Sequence, residues 1–401
     1  MGFVRRFMTE ERGATMIMVA VSMVMIFAFA VLAIDISLIQ LAKNQLQNAA
    51  DAAALAGAIE YAMTNGDPAA ATAEAIEIAG LNLAVQTRQQ AVGITAADVS
   101  FPAPNRVRVQ THRTEASGDP VQLYFMRVIN AASNNLGNMT AHATAEVLPI
   151  GGTNCLKPWM FPDRWEDSDS DHVYDAREPF TDLDGDGEYD SGESYTDLNK
   201  NGVWNAGEYY DEQVTGYRVP DHVGQTVVLK FDNGSLNNFA PREGWYQIIR
   251  FGPVNRGGPE CPGGDCYREW IPGCEPYIVM EGDTMELELG AKVGPTDQGL
   301  QELIARDPYA YYDAATGSIA GSAYPVSPRL IKTAVYDPTV SIYDLGTGSN
   351  KYITVKKIVV MFLELKTGNA EVLGRFMRMA TQGELCPECE PGFAFGAHLV
   401  Q

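Results

Sequence analysis

The sequence predicts an α+β protein: a long N-terminal helix, a small α+β domain, a run of acidic loop repeats, and then a mainly β domain. Three observations carry that prediction. Residues 13–34 hold no charged side chain and lead without a break into a helical pattern. Residues 163–212 hold seventeen Asp and Glu against three basic residues, Arg164, Arg177 and Lys200. Beyond Val219, apolar and β-branched runs alternate with Gly, Pro, Asn and Asp, the texture of strands and turns. At 401 residues the chain is too long for one average domain, and 46% hydrophobic residues suffice for packed cores. The net charge of −22 argues against a nucleic-acid partner, because phosphate backbones are met by Lys and Arg.

The first element is "GATMIMVAVSMVMIFAFAVLAI", Gly13 to Ile34. As a helix it is about 33 Å long, enough to cross a hydrocarbon core of about 30 Å. Arg5, Arg6 and Arg12 precede it, and the next basic residue is Lys43. That bias places residues 1–12 in the cytoplasm and everything after Asp35 outside. A cleaved signal peptide, with Ala28–Ala30 as its small-residue site, is the alternative, but the apolar run is long for one. Further on, Ile39, Ala42, Leu46, Ala49, Ala53 and Gly57 recur at three- and four-residue steps along one helix face. The lower part of that stripe is Ala and Gly, so another backbone can approach closely. Two readings stay open, packing within its own domain or contact with a partner helix. Asp35, at the outer end of the span, reads as an interfacial residue or as the partner of a neighbouring helix.

"ERGATMIMVAVSMVMIFAFAVLAIDISLIQLAKNQLQNAADAAALAGA" resembles the N-terminal segment of TadE/TadG-like proteins of the Flp (tight-adherence) pilus apparatus. The features that carry the resemblance are Arg12-Gly13 before the apolar run, Asp35 at its outer end, and "LQNAADAAALAGA" after it. It is close over roughly the first 60 residues and looser to about residue 149, through "FMRVINAASNNLGNMTAHATAEV". The resemblance implies a single-pass protein whose pilin-like helix leads into an extracytoplasmic domain. Pilin precursors cut by prepilin peptidase usually carry a Glu five residues past the Gly. Met18 stands there, so the uncleaved, TadG-like version is implied.

The remainder of the small α+β domain, residues 35–150, follows from local signals. "NGDP" at Asn65–Pro68 marks a turn, and "AAATAEAIEIAGLNLAV" after it reads as a second helix. "DVSFPAPNRVRVQTHR" alternates around a Pro-Asn turn, as a hairpin does. "VQLYFMRVINAAS" is ambiguous between helix and strand, and "MTAHATAEVLPI" reads as a strand. In the mainly β domain, 219–401, strands are predicted at "TVVLKF", "WYQIIRF", "TMELEL", "KYITVKKIVVMFLEL" and "AEVLGRFMRM", and a helix at "TDQGLQELIARDP".

Between them, the acidic segment aligns on itself with a period of 15. Its units begin at Asp167, Asp182 and Asp197, with aromatic residues at positions 8 and 14 and Glu178, Glu193 and Glu208 at position 12. The second and third units fit D-x-[DN]-x-[DN]-G-x5-E, a calcium-loop pattern. Ca²⁺ takes six to eight hard oxygens, and each slot has a source for one. Positions 1, 3 and 5 offer Asp182, Asp184 and Asp186, then Asp197, Asn199 and Asn201. Position 7 offers the carbonyls of Glu188 and Val203, position 9 offers Asp190 and Asn205, and Glu193 and Glu208 close the two cages. The first unit has Asp167, Asp169, Asp171 and Glu178, but His172 where the Gly belongs. A non-Gly residue at positive φ costs roughly 1 kcal/mol or more. An acidic solvated linker would explain the charge but not the fixed Gly, Glu and aromatic positions. Only "SYT" separates Glu193 from Asp197, so no helices flank these loops as in an EF-hand. Metal would supply folding free energy that so few apolar residues cannot.

The six cysteines, Cys155, Cys261, Cys266, Cys274, Cys386 and Cys389, suit disulfides outside the cytoplasm, in a pairing that spacing does not decide. "CPGGDC" and "CPEC" leave a four-cysteine zinc site as the alternative. A redox role for Cys386 and Cys389 lacks the usual βαβ context. The five histidines are scattered, and neither HExxH nor GxSxG occurs, so an enzyme is not expected. The expected protein is a membrane-anchored structural component of Flp/Tad-type pilus assembly. Its partners are the cytoplasmic membrane and other pilus-assembly proteins or pilins, and residues 163–212 are a Ca²⁺-stiffened connector to the distal β domain. The alternative is a calcium-stabilised extracytoplasmic hydrolase, or a glycan-binding or adhesin protein.

Overall fold

The structure, a computed structural model, describes residues 11–84, 90–117, 120–124, 136–198, 202–231, 241–258, 264–288, 292–339 and 351–400. It begins with a 53-residue helix, α1 (Glu11–Met63), and continues as mostly strands with a few short helices, an α+β architecture. The chain divides into two compact units, residues 1–147 with 397–401, and residues 148–396.

In the first unit α1 changes character along its length. From Met16 to Phe29 its apolar side chains are exposed, Met16 at 77% and Phe29 at 70%. This stretch makes α1 long and apolar enough to cross a membrane. From Ala42 onward the small-residue stripe is buried: Ala42, Leu46, Ala49, Ala53 and Gly57 all face the unit's own core. Asn65 and Gly66 turn the chain at positive φ, and α2 (Pro68–Leu81) starts on an Asp67 cap. The Asp67 carboxylate accepts from the Ala69 amide at 2.8 Å, and Pro68 fills the first helical position, where no amide is needed. At Gly57 the two helices nearly touch. An added Cβ there would lie 3.1 Å from the Ala71 carbonyl oxygen and 3.2 Å from Ala75 Cβ.

A hairpin of β1 (Val99–Ala103) and β2 (Arg106–Arg113), with β3 (Met139–Thr153) alongside β2, lies against α1. Val107, Val109, Ala141, Ala143 and Ala145 alternate inward to meet the alanines of the helix. Thr111 Oγ1 donates to the Leu46 carbonyl at 2.9 Å and fixes sheet to helix. Asp35 is buried, and its carboxylate accepts from the Tyr124 amide at 2.7 Å. In the segment that reads ambiguously, Val121–Gln122 is a short strand, and residues 125–135 lie outside the described residues.

The core of the second unit is a closed six-stranded barrel. Its staves are β4 (Leu156–Pro162), β5 (Thr226–Phe231), β6 (Trp245–Ile248), β7 (Leu330–Tyr336), β8 (Lys357–Gly368) and β9 (Glu371–Phe376). Around the barrel the order is β6, β4, β7, β8, β9, β5, and β5 closes on β6. The β4–β7 and β5–β6 pairs are parallel, and the others antiparallel. Trp159, Phe161, Tyr246, Phe362 and Phe376 fill the core. Buried cations find backbone partners: Arg329 donates to the carbonyls of Leu363, Asp307 and Ala310 at 2.8–3.0 Å. Lys332 donates to Thr153 Oγ1 at 2.6 Å, and burial pulls its ammonium down to about 8. Two short helices, α3 (Gly264–Trp270) and α4 (Val293–Ala305), accompany the barrel. Disulfides join Cys155 to Cys274 and Cys386 to Cys389, and Cys266 is disulfide-bonded too, so these cysteines are not free for a zinc site. Cys261 lies outside the described residues.

The tightness at Gly57 is testable. Gly57→Leu should lower the stability of the first unit by about 1–3 kcal/mol through overpacking. An unchanged melting temperature would mean that α1 and α2 do not meet there.

Candidate metal centre

The acidic repeats lie between β4 and β5. Both flanking elements are staves of one barrel, so the segment leaves and re-enters the same unit. This corrects the expectation of a connector leading from one domain to the next. The physical reason is the strand "LKPWMFP" ahead of the repeats, to which the sequence reading assigns no element but which is buried along its whole length and belongs to the barrel.

Each loop winds around its first aspartate. Asp167 accepts from the amides of Ser170 (2.7 Å) and His172 (3.1 Å). Asp182 accepts from Gly185 (2.6 Å) and Gly187 (3.0 Å), and Asp197 from Gly202 (2.9 Å). Inside the first two loops the pattern steps onward. The Asp171 amide donates to Asp169 and that of Asp186 to Asp184, then Val173 to Asp171 and Glu188 to Asp186. Gly187 and Gly202 have φ of 82° and 77°, the left-handed turn for which glycine is suited. His172 takes the same conformation at φ 62°, so the first loop closes despite its missing glycine. Its Nδ1 lies 3.0 Å from a carboxylate oxygen of Glu243.

The glutamates at position 12 depart from the repeat-by-repeat assignment. Glu193 closes its own loop, accepting from the amides of Leu183 (2.6 Å) and Asp190 (3.0 Å). Glu208 does not. It accepts from Ser168 (2.8 Å) and Asp175 (3.2 Å) and so closes the first loop. Glu178 in turn accepts from Leu198 (2.8 Å) and Asn205 (3.1 Å) and closes the third. The cause is a backbone exchange. The Glu178 amide donates to the Asn205 carbonyl, and the Glu208 amide donates to that of Asp175, so each glutamate is laid over the other's loop. Asn205 Nδ2 also donates to the Asp175 carboxylate at 3.3 Å. Asp175 holds position 9 in the first repeat, as Asp190 and Asn205 do in theirs, and that shared position is the signal by which it belongs with the candidate residues.

Among the described residues, three groups of carboxylates bring one oxygen each within 4.8 Å of one another: Asp182, Asp184 and Glu193; Asp184, Asp186 and Asp190; and Asp167, Asp169 and Glu208. Asp171 and Glu188 hold their loop turns, and Val203 is exposed. Asn199 and Asn201 lie outside the described residues. Like charges at this spacing oppose ionisation. Asp184 and Asp186 push the Asp190 carboxyl up, and burial does the same for Glu208. Asp182 is held below the usual range, chiefly by the Gly185 amide. Glu178 and Glu193 are buried, and each is met by two backbone N–H donors.

The repeat aromatics gather under the loops. Tyr189 stacks on Trp204 at 4.6 Å, with Phe180 edge-on to both and Tyr195 edge-on to Tyr189. Trp204 Nε1 donates to the Glu178 carbonyl at 3.0 Å. At the root, Tyr210 donates to Asp163, a fully buried carboxylate at the end of β4 that is ion-paired to Lys357 at 2.7 Å.

Fold and site together define a protein with, among the described residues, one helix long and apolar enough to cross a membrane, a helix-and-sheet unit, and a barrel unit bearing an acidic loop cluster. Residues 13–62 match the family model described as putative Flp pilus-assembly TadE/G-like, which spans most of α1. No curated protein and no solved structure matches the chain.

The crossed closure makes a prediction independent of metal. Glu208→Ala should speed amide exchange at Ser168 and Asp175 by about tenfold or more, the worth of a hydrogen bond to a charged group. Glu178→Ala should do the same at Leu198 and Asn205. If each substitution instead loosened only the loop of its own repeat, the exchange would be refuted.

Proposed function

We propose that this protein is a membrane-anchored structural component of Flp/Tad-type pilus assembly. The observation that carries the reading is the coincidence of the TadE/G-like match at residues 13–62 with the helix whose apolar stretch is exposed. In this reading α1 crosses the cytoplasmic membrane with its N-terminus inside, as Arg5, Arg6 and Arg12 favour, and the rest of the chain is extracytoplasmic. Its partners are other pilus-assembly proteins or pilins, and its role in assembly is structural.

The second part of the reading is that Ca²⁺ occupies the acidic loops. Hard carboxylate oxygens suit Ca²⁺, and millimolar calcium outside the cytoplasm fills even weak sites. The candidate ligands are Asp167, Asp169, Asp171 and Asp175 with Glu208 for the first loop. For the second they are Asp182, Asp184, Asp186, Asp190, the Glu188 carbonyl and Glu193. The third loop takes Asp197, Asn199, Asn201, the Val203 carbonyl and Asn205, with Glu178. The cation would neutralise the crowded aspartates and stiffen the excursion against the barrel. A support for this is that Glu178 and Glu193 are buried and already oriented by paired amide donors.

Two measurements test these parts separately. Affinity capture of the full chain from native membranes should recover pilus-assembly proteins, and recovery of none, with hydrolytic activity in the eluate, would favour the hydrolase alternative. Calorimetric titration of the full chain in detergent should register calcium binding that EDTA reverses, with a shift in circular dichroism. No heat and no spectral change would remove calcium from the reading while leaving the assembly role standing.

A further inference from the structure

The second cysteine motif has surroundings that a purely structural bridge does not require. Cys386 and Cys389, in "CPEC", form a disulfide across a tight turn in which the Cys389 amide donates to the Cys386 carbonyl at 3.2 Å. The bridge lies against the bare Cα of Gly151. A Cβ added to Gly151 would sit 3.0 Å from Cys386 Cβ and 3.5 Å from both sulfurs. A carboxylate oxygen of Glu281 lies 3.5 Å from Cys389 Sγ. Both Cys389 and Glu281 line a cavity of about 410 Å³, together with Tyr217, Arg218, Lys357 and Glu388.

Glu281 is set up to carry a proton beside that sulfur. Burial, then the nearby Glu212, push its carboxyl up to about 7, against the opposing pull of Lys357, Lys356 and the Ile358 amide. Those two cations are matched elsewhere: Lys357 pairs with Asp163 and Lys356 with Glu212, each at 2.7 Å. The remaining charged groups of the cavity are Arg218, Glu388 and Glu390, and both of these glutamates are exposed. The Cys155–Cys274 bridge differs, since Cys274 Sγ lies 4.0 Å from the Glu275 backbone carbonyl, which holds no proton.

We propose that Cys386–Cys389 is a thiol–disulfide exchange site that takes cysteine thiols of partner proteins as substrate, with Glu281 as its proton donor and acceptor. A partner thiolate attacks Cys386 Sγ, the S–S bond breaks, and its electron pair leaves on Cys389. The Glu281 carboxyl gives its proton to that leaving thiolate, 3.5 Å away. A second thiolate of the partner then attacks the mixed disulfide at the partner's own sulfur and releases Cys386 as a thiol after protonation from solvent. The partner's two thiols are oxidised to one disulfide, and the CPEC disulfide is reduced to two thiols. The reverse sequence reduces a partner disulfide, and Glu281 then takes the Cys389 proton. Attack falls on Cys386 because expulsion of Cys389 is the step a neighbouring acid assists.

The test uses the full chain in detergent with reduced glutathione as probe, quenched with a maleimide and read by peptide mass. The first mixed disulfide should map to Cys386. The rate constant for opening in wild type relative to Glu281→Gln should be about tenfold higher near pH 6 and approach unity near pH 8.5, as the carboxyl loses its proton. Glutathione's own ionisation cancels in that ratio. A ratio independent of pH, or glutathione found on Cys389, would overturn the proposal. If Glu281→Gln does not fold, judged by circular dichroism, wild type decides alone. Cys386–Cys389 must then open about tenfold or more faster than Cys155–Cys274, and equal resistance of the two bridges would also overturn it.

Discussion

The crossed pair of carboxylates, buried Glu178 and half-buried Glu208, is the constraint on which the acidic segment depends. A carboxylate removed from water needs donors, and each of these takes two backbone amides from a loop thirty residues away in the repeat register. Because the two glutamates serve each other's loops, the first and third repeats cannot order independently. Ordering either one fixes the backbone pair between Asp175–Glu178 and Asn205–Glu208, and that pair carries the other glutamate into place. The second loop, closed by its own Glu193, sits between them in sequence and contributes Tyr189 to the shared aromatic stack. Three short repeats that each lack a core therefore share one. The same arrangement gathers aspartates whose mutual repulsion already shows at Asp190.

This cluster is rooted in the barrel through one buried ion pair. Asp163 leaves β4 and accepts from the amides of Arg164 and Tyr217, from Tyr210 and from Lys357. Burial raises its carboxyl, and the Lys357 ammonium and the amide donors oppose that shift. Breaking one partner of such a pair leaves a charge without compensation, which costs far more than a surface pair is worth. Lys357 also donates to the Tyr217 carbonyl at 2.8 Å, and Tyr217 packs on Phe161 and Phe376 of the barrel core. The outgoing and returning ends of the acidic excursion thus converge on the same side chain of β8.

Local rules made the first unit readable. The turn at Asn65–Pro68, the alternating hairpin and the alanine stripe each carry their meaning within a few residues. The barrel is less legible because its closure is non-local. β4 is buried on both faces and contains two prolines, so it shows neither alternation nor the composition of a strand. β7, "LIKTAVY", hides Lys332 and Thr333 in a buried run, and its parallel partner β4 lies some 170 residues away in the chain. At the acidic loops the residue types were evident from the period of 15, but the partners were not. The three position-12 glutamates look alike in sequence, and only the backbone pairing decides which loop each one closes. The disulfide pairs were open for the same reason, since six cysteines allow 15 connectivities.

The long helix changes its surroundings along its length. Over Met16–Phe29 most side chains are large, apolar and exposed, whereas from Ala42 the face turned to the unit's core is mostly Ala. Asp35 stands at the change, buried and bonded to the Tyr124 amide, so the helix is gripped by its own unit where the apolar stretch ends. The Ala and Gly stripe, which in a membrane would suit a second helix, is used instead for α2 and the sheet, with Gly57 at the point of closest approach. What the apolar stretch leaves exposed is mostly Met, Ile, Val and Phe, with Ala20, Ser22 and Ala30 among them, a surface whose composition suits lipid tails.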